Sequence, residues 1–101
     1  MSKIDPRDRG QLAVDVGRRL TLLRDVLGMT QTEFGRISGG LSQSRYSQYE
    51  TGERLLPVPV SVALSSRLGV SLDWLYMGDP NAMPLDLWRK IQKLADERDR
   101  T

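Results

Sequence analysis

Between Gln11 and Leu27 the apolar residues Leu12, Val16, Leu20, Leu23 and Leu27 recur every three or four positions, which lays one stripe along a helix. Asp5 followed by Pro6 can cap an earlier start, and Gly28 suits the left-handed residue that closes it. Thr30 stands three residues ahead of Glu33, the spacing of a capping box, so a second helix is predicted from Gln31 to about Ile37. Ser38, Gly39 and Gly40 break it, and Ser42 caps a third helix from Gln43 to about Glu50, stopped by Thr51 and Gly52.

The piece Leu55-Leu56-Pro57-Val58-Pro59 is predicted to be extended, because a residue before proline is pushed out of the helical region. Pro59 opens a fourth helix with Val60, Ala63, Leu64 and Leu68 on one face. Gly69 ends it, Ser71 caps a fifth around Leu72 to Tyr76, and Gly78-Asp79-Pro80-Asn81 reads as a turn. A last amphipathic helix runs from Pro84 to about Arg98, with Leu87, Trp88, Ile91, Leu94 and Ala95 on one side. No strand, repeat or low-complexity segment is visible, so the class is all-α. Phe34, Ile37, Leu41, Tyr46, Leu64, Leu68 and Leu75 are expected in the core.

Length and composition narrow the field. A chain of 101 residues, 39% hydrophobic and 28% charged, is the size and balance of one soluble domain, and no apolar run reaches the roughly 18–20 residues of a membrane span. Its first seven residues hold no apolar signal core, so a cytoplasmic address is expected. The sequence has no cysteine and no histidine, which removes disulfide frameworks, zinc fingers, thiol catalysis and imidazole chemistry together. No paired carboxylates or activated lysine stand in a recognisable arrangement, so no enzyme, metal or cofactor is expected. The net charge of +2 permits nucleic-acid binding without requiring it.

The two short segments Thr30–Ile37 and Ser42–Glu50, broken by a glycine turn, resemble the DNA-binding unit of the Cro and phage-repressor helix-turn-helix family. Val16-Gly17-Arg18-Arg19-Leu20 with Leu23-Arg24 is similar to that family's first helix, Tyr49-Glu50-Thr51-Gly52 to the end of its third, and Leu68-Gly69-Val70-Ser71-Leu72-Asp73-Trp74-Leu75 to its fourth-to-fifth junction. The resemblance covers about residues 13–78. Three departures stand out: Gly35 replaces the usual alanine of helix 2, Ser38-Gly39-Gly40-Leu41 is one residue longer than the common turn, and two prolines, Pro57 and Pro59, stand between helices 3 and 4 where the family commonly has one.

The resemblance implies a five-helix domain over residues 11–78, preceded by an arm (1–10) and followed by a linker (79–83) and a C-terminal helix (84–101). It also implies a partner: a double-stranded DNA operator, with helix 3 in the major groove. Gln43, Ser44 and Gln48 fall at base-reading positions, and a glutamine there can make a bidentate pair with adenine. Gln31 and Thr32 in the first turn of helix 2, with Arg36, Arg45, Ser47 and Arg54 around helix 3, are expected at phosphates. In this family the helix-2 glutamine also braces the first reader, here Gln43. Arg24 and Glu50 match a pair that ties the reading helix to the scaffold. Lys3, Arg7 and Arg9 read first as a disordered terminus and second as a minor-groove arm.

A domain of this size reads only a few base pairs, so a homodimer on two half-sites is expected, with Leu87, Trp88, Ile91 and Leu94 as its surface. The functional expectation is a transcriptional regulator of the repressor kind. The alternative is an antitoxin or anti-repressor module that binds a partner protein through the same fold.

Overall fold

The computed structural model describes residues 8–100. Six helices follow in chain order: α1 (Arg9–Val26), α2 (Gln31–Ile37), α3 (Gln43–Thr51), α4 (Val58–Leu68), α5 (Leu72–Met77) and α6 (Leu85–Asp99), with no strand among the described residues. The all-α expectation therefore holds, and each predicted helix is present to within one or two residues at most ends. The suggested cap at Asp5 and Pro6, and Lys3 and Arg7 of the arm, lie outside the described residues. Arg9 and Gly10, expected in the arm, are already the first turn of α1.

α1 is the axis of the fold and packs against α3, α5 and α6. Val16, Leu20 and Leu23 of its stripe are fully buried, and Ala13 joins them. Leu27 does not. It is the residue that caps α1, 37% exposed, because the chain turns away into α2 just where the stripe would have continued. Around this axis close Phe34 of α2, Tyr46 and Tyr49 of α3, Leu64 of α4, Trp74 and Leu75 of α5, and Ile91 of α6. Ile37, Leu41 and Leu68 pack against that core half-buried. Phe34 and Tyr46 meet with ring centroids 5.1 Å apart, tilted by 53°, which locks α2 onto α3 in a favoured aromatic geometry.

The local signals that start each helix are realised atom by atom. Thr30 Oγ1 accepts from the Glu33 N–H at 3.1 Å while Glu33 Oε1 accepts from the Thr30 N–H at 3.0 Å, completing the capping box. Ser42 and Ser71 accept from Arg45 and Trp74 N–H groups in the same manner. The α2–α3 turn is wide. Leu41 N–H reaches back six residues to the Gly35 carbonyl at 2.9 Å, one residue beyond the common glycine closure, with Gly39 and Gly40 at φ of 97° and 77°.

The segment between α5 and α6 is docked on the domain. Met83 is buried, and its sulfur accepts from the Ser71 N–H at 3.5 Å. α6 then lies back along α1. Ile91 is 2% exposed, Leu87 and Trp88 pack against the core, and Trp88 meets Trp74 edge-on with centroids 6.5 Å apart. Leu94 is half-buried on the same side. The stripe expected to form a dimer surface is thus turned onto its own domain. An amphipathic helix must bury its apolar face, and Trp74 and the side of α1 offer one nearby. Arg98 near the end of α6 pairs with Asp25 of α1.

Candidate nucleic-acid interface

The centre of the candidate site is an ion pair. Arg24 of α1 donates through Nε to Glu50 Oε2 at 2.6 Å and through Nη2 to Oε1 at 3.1 Å, and its Nη1 also donates to the Met29 carbonyl at 3.1 Å. The Glu50 side chain is only 6% exposed. Burial pushes its carboxyl upward, but hydrogen bonds from Arg24 and Gln31 more than offset this and hold it below the ordinary glutamate range. Arg24 is held above its usual range, chiefly by the hydrogen bond to Glu50. The Tyr46 hydroxyl is buried against the same carboxylate without closing a hydrogen bond of good geometry, and burial drives its phenol far upward.

Two glutamines extend this pair to the surface. Gln31 Nε2 donates to Glu50 Oε1 at 3.0 Å, and Gln31 Oε1 accepts from Gln43 Nε2 at 2.6 Å. The result is a chain of side chains from scaffold to solvent: Arg24, Glu50, Gln31, Gln43. Each member restricts the next, so Gln43 is held at the exposed start of α3 with fewer rotamers to lose on binding.

Ser44 is exposed beside Gln43, with its hydroxyl 3.4 Å from that of Ser42. Gln48 behaves differently. It is half-buried, and its amide oxygen is covered without a hydrogen-bond partner. A bidentate pair with a base needs both amide atoms facing outward, so this side chain must rotate before it can make one. Thr32, Arg36, Arg45 and Arg54 are exposed and Ser47 is half-buried. None of these three arginines forms an ion pair among the described residues, so their cations face solvent.

Three further residues, Gly17, Gly35 and Arg19, position this surface through contacts that the sequence alone does not show. Gly17 of α1 lies at a close approach of α1 to α3: a methyl group there would sit 2.4 Å from the Glu50 carbonyl oxygen and 2.7 Å from that of Tyr49. Gly35 is similar, with its would-be methyl 2.9 Å from the Leu41 carbonyl oxygen. Arg19 donates to the Leu75 carbonyl at 3.1 Å, tying α1 to α5, and its burial lowers its pKa. The five residues Val16 to Leu20 mark both Gly17 and Arg19 through their place in the family motif, but the motif does not show what either one meets.

The helix-turn-helix profile of the Cro and phage-repressor type matches residues 20–75, more than half of the chain. The chain belongs to that family. Its matched span runs from the middle of α1 to α5 and contains α2, α3 and the Gln31–Gln43 brace. This helix-turn-helix protein is accordingly a DNA-binding regulator in the broad sense that the family defines. No curated protein and no solved structure gives a significant match. None of its described helices is long and apolar enough to cross a membrane, and no group of metal-binding side chains occurs among the described residues.

Proposed function

We propose that this protein is a sequence-specific transcriptional regulator that acts as a repressor by occupying an operator, with α3 entering the major groove of double-stranded DNA. One observation carries the reading: Gln43, at the exposed N-terminal end of α3, is fixed by Gln31 to the buried Arg24–Glu50 pair. A surface glutamine with no task beyond solvation gains nothing from such a brace, whereas a base reader gains preorganisation.

In this reading Gln43 and Ser44 read base edges directly, and Gln48 joins them once its amide swings out. Gln31, Thr32, Arg36, Arg45, Ser47 and Arg54 fix the register by touching backbone phosphates. Two copies bind half-sites about one turn apart, since one such unit covers only a few base pairs. The protein-partner alternative finds less support. The large apolar residues that remain exposed among the described residues are Val14, Leu27, Val58, Val62, Met77 and Leu85, and none lies on α2 or α3.

Selection of bound duplexes from random DNA, run with the native chain and with Gln43→Ala/Gln48→Ala, tests the assignment. The native chain should enrich one motif, and the folded double variant should lose preference at specific positions by about 1–3 kcal/mol per lost bidentate contact. Equal enrichment of the same motif by both would sink the assignment of readers.

A further inference from the structure

An open groove of about 480 Å³ is lined by residues of the start of α1 and of the extended connection after α3, two arginines, Arg9 and Arg54, among them. Tyr49, Leu56, Val58 and Tyr76 are among the residues that line the rest, and among the described residues no carboxylate does. Glu53, beside Arg54 in the chain, is instead engaged with the Thr51 hydroxyl at 3.3 Å. Both arginines are exposed and neither meets an acidic side chain among the described residues. Two cations some 45 positions apart in sequence thus line one concave surface with no ion-pair partner among the described residues, an arrangement that suits an anion.

The groove is built to last. The Tyr76 hydroxyl donates to the Leu56 carbonyl at 2.7 Å and lies 3.1 Å from Ser61 Oγ, pinning the connection that carries Arg54. On the other side, Gly52 sits against Val14 of α1, where a methyl would come within 2.8 Å of Val14 Cγ2, so the first turns of α1 abut the C-terminal end of α3.

Its place relative to the readers matters. α3 has nine residues, so it is about 13 Å long. Gln31 and Gln43 stand at one end of α3, and the Arg9–Arg54 groove at the other. In the operator reading, with the start of α3 on the bases and α2 against one strand, a groove at the far end of α3 is placed to meet phosphates of the second strand.

We infer that Arg9 and Arg54 form a two-arginine clamp for a phosphodiester segment of that second strand, an inference that rests on the operator-binding reading above. The guanidinium fork matches phosphate oxygens, and the apolar floor of Leu56 and Val58 suits the sugar between them. The volume far exceeds one free phosphate, which favours a stretch of backbone over a small ion.

The test is a salt series, from about 50 to about 200 mM, of binding to the selected duplex and to a scrambled one. It uses the full chain, Arg9→Ala, Arg54→Ala, the double variant and Arg89→Ala, an exposed α6 control, with circular dichroism confirming the fold of each. Each clamp variant should reduce the slope of log K against log salt by about 0.9, and the double by about 1.8, with the ratio between duplexes unchanged. For one lost contact, the affinity gap to the native chain then narrows about 3.5-fold across that salt range. Arg9→Ala with the native slope overturns the clamp while leaving the operator reading intact. So does an Arg89→Ala effect as large as that of Arg9→Ala, because the loss would then be one of bulk charge. A native chain with no preference between duplexes overturns the operator reading, and the clamp with it.

Discussion

Gln31 accepts a hydrogen bond from Gln43 at 2.6 Å and gives one to Glu50 at 3.0 Å, so a single amide joins the exposed end of α3 to the buried ion pair beneath it. Replacing Gln31 by alanine removes both bonds at a half-exposed position without opening the core. The expected outcome is a small loss of stability, within about 1 kcal/mol, and a larger loss of DNA affinity, because Gln43 must then be ordered at the moment of binding. Melting and anisotropy titrations on the same variant separate the two. If affinity falls no further than stability does, the brace is a structural contact alone.

The Arg24–Glu50 pair should make stability depend on acid. Glu50 is held below the ordinary glutamate range, so its contribution is fully present above about pH 4.3, the unfolded value, and is lost as pH falls through the lower folded one. Glu50→Gln has no carboxylate to titrate and leaves Arg24 only the more exposed Asp25, 3.3 Å away, as a counter-charge. Near neutrality it should cost about 3 kcal/mol, the lower end for a buried pair because Arg24 is 17% exposed. The difference in melting temperature between native chain and variant should shrink below pH 4. A gap that stays constant from pH 7 to pH 3 would mean that Glu50 does not titrate with folding.

What could be read from the chain, and what could not, follows the range of each interaction. The caps at Thr30, Ser42 and Ser71 were legible because they involve residues three apart. The family motif brought Gln31, Gln43, Arg24 and Glu50 together in advance, although their contacts cross 12 to 26 positions. Helical periodicity assigned α6 an apolar side but could not name what that side meets, and it meets α1 and Trp74. It also placed Gln48 beside Ser44 on a polar face, yet the rotamer that covers the amide oxygen depends on neighbours that periodicity ignores. Gly17 is a closer case still. Its need for no side chain exists only because α3 crosses there, a fact of the assembled fold.

Gly35 and the wide turn should prove to be one feature. The closure of Leu41 N–H on the Gly35 carbonyl brings the Leu41 carbonyl to 2.9 Å from where an alanine methyl would sit. Gly35→Ala should therefore displace the entry to α3 and cost about 1–3 kcal/mol, as overpacking usually does. In a chain with Gly40 deleted the turn can close one residue sooner, and the same substitution should cost less. Chemical denaturation of the four chains in this cycle gives the coupling directly. Equal costs in both backgrounds would separate Gly35 from the length of the turn.

The position of α6 makes the last prediction. Ile91 is 2% exposed in the core of its own domain, so Ile91→Ala should cost about 2–5 kcal/mol, the range for a buried aliphatic cut back to a methyl. Because Trp88 packs edge-on to Trp74, loosening α6 should also move tryptophan emission toward the red. The same stripe could lose stability by another route if Ile91 were buried between two copies, and protein concentration distinguishes the two. A contact within one chain gives a melting difference independent of concentration, whereas a contact between chains gives one that grows on dilution. Equal differences at about 1 and about 100 μM are expected. Dependence on dilution would assign the stripe to a dimer surface and would mean that α6 exchanges between the core of one domain and that of its partner.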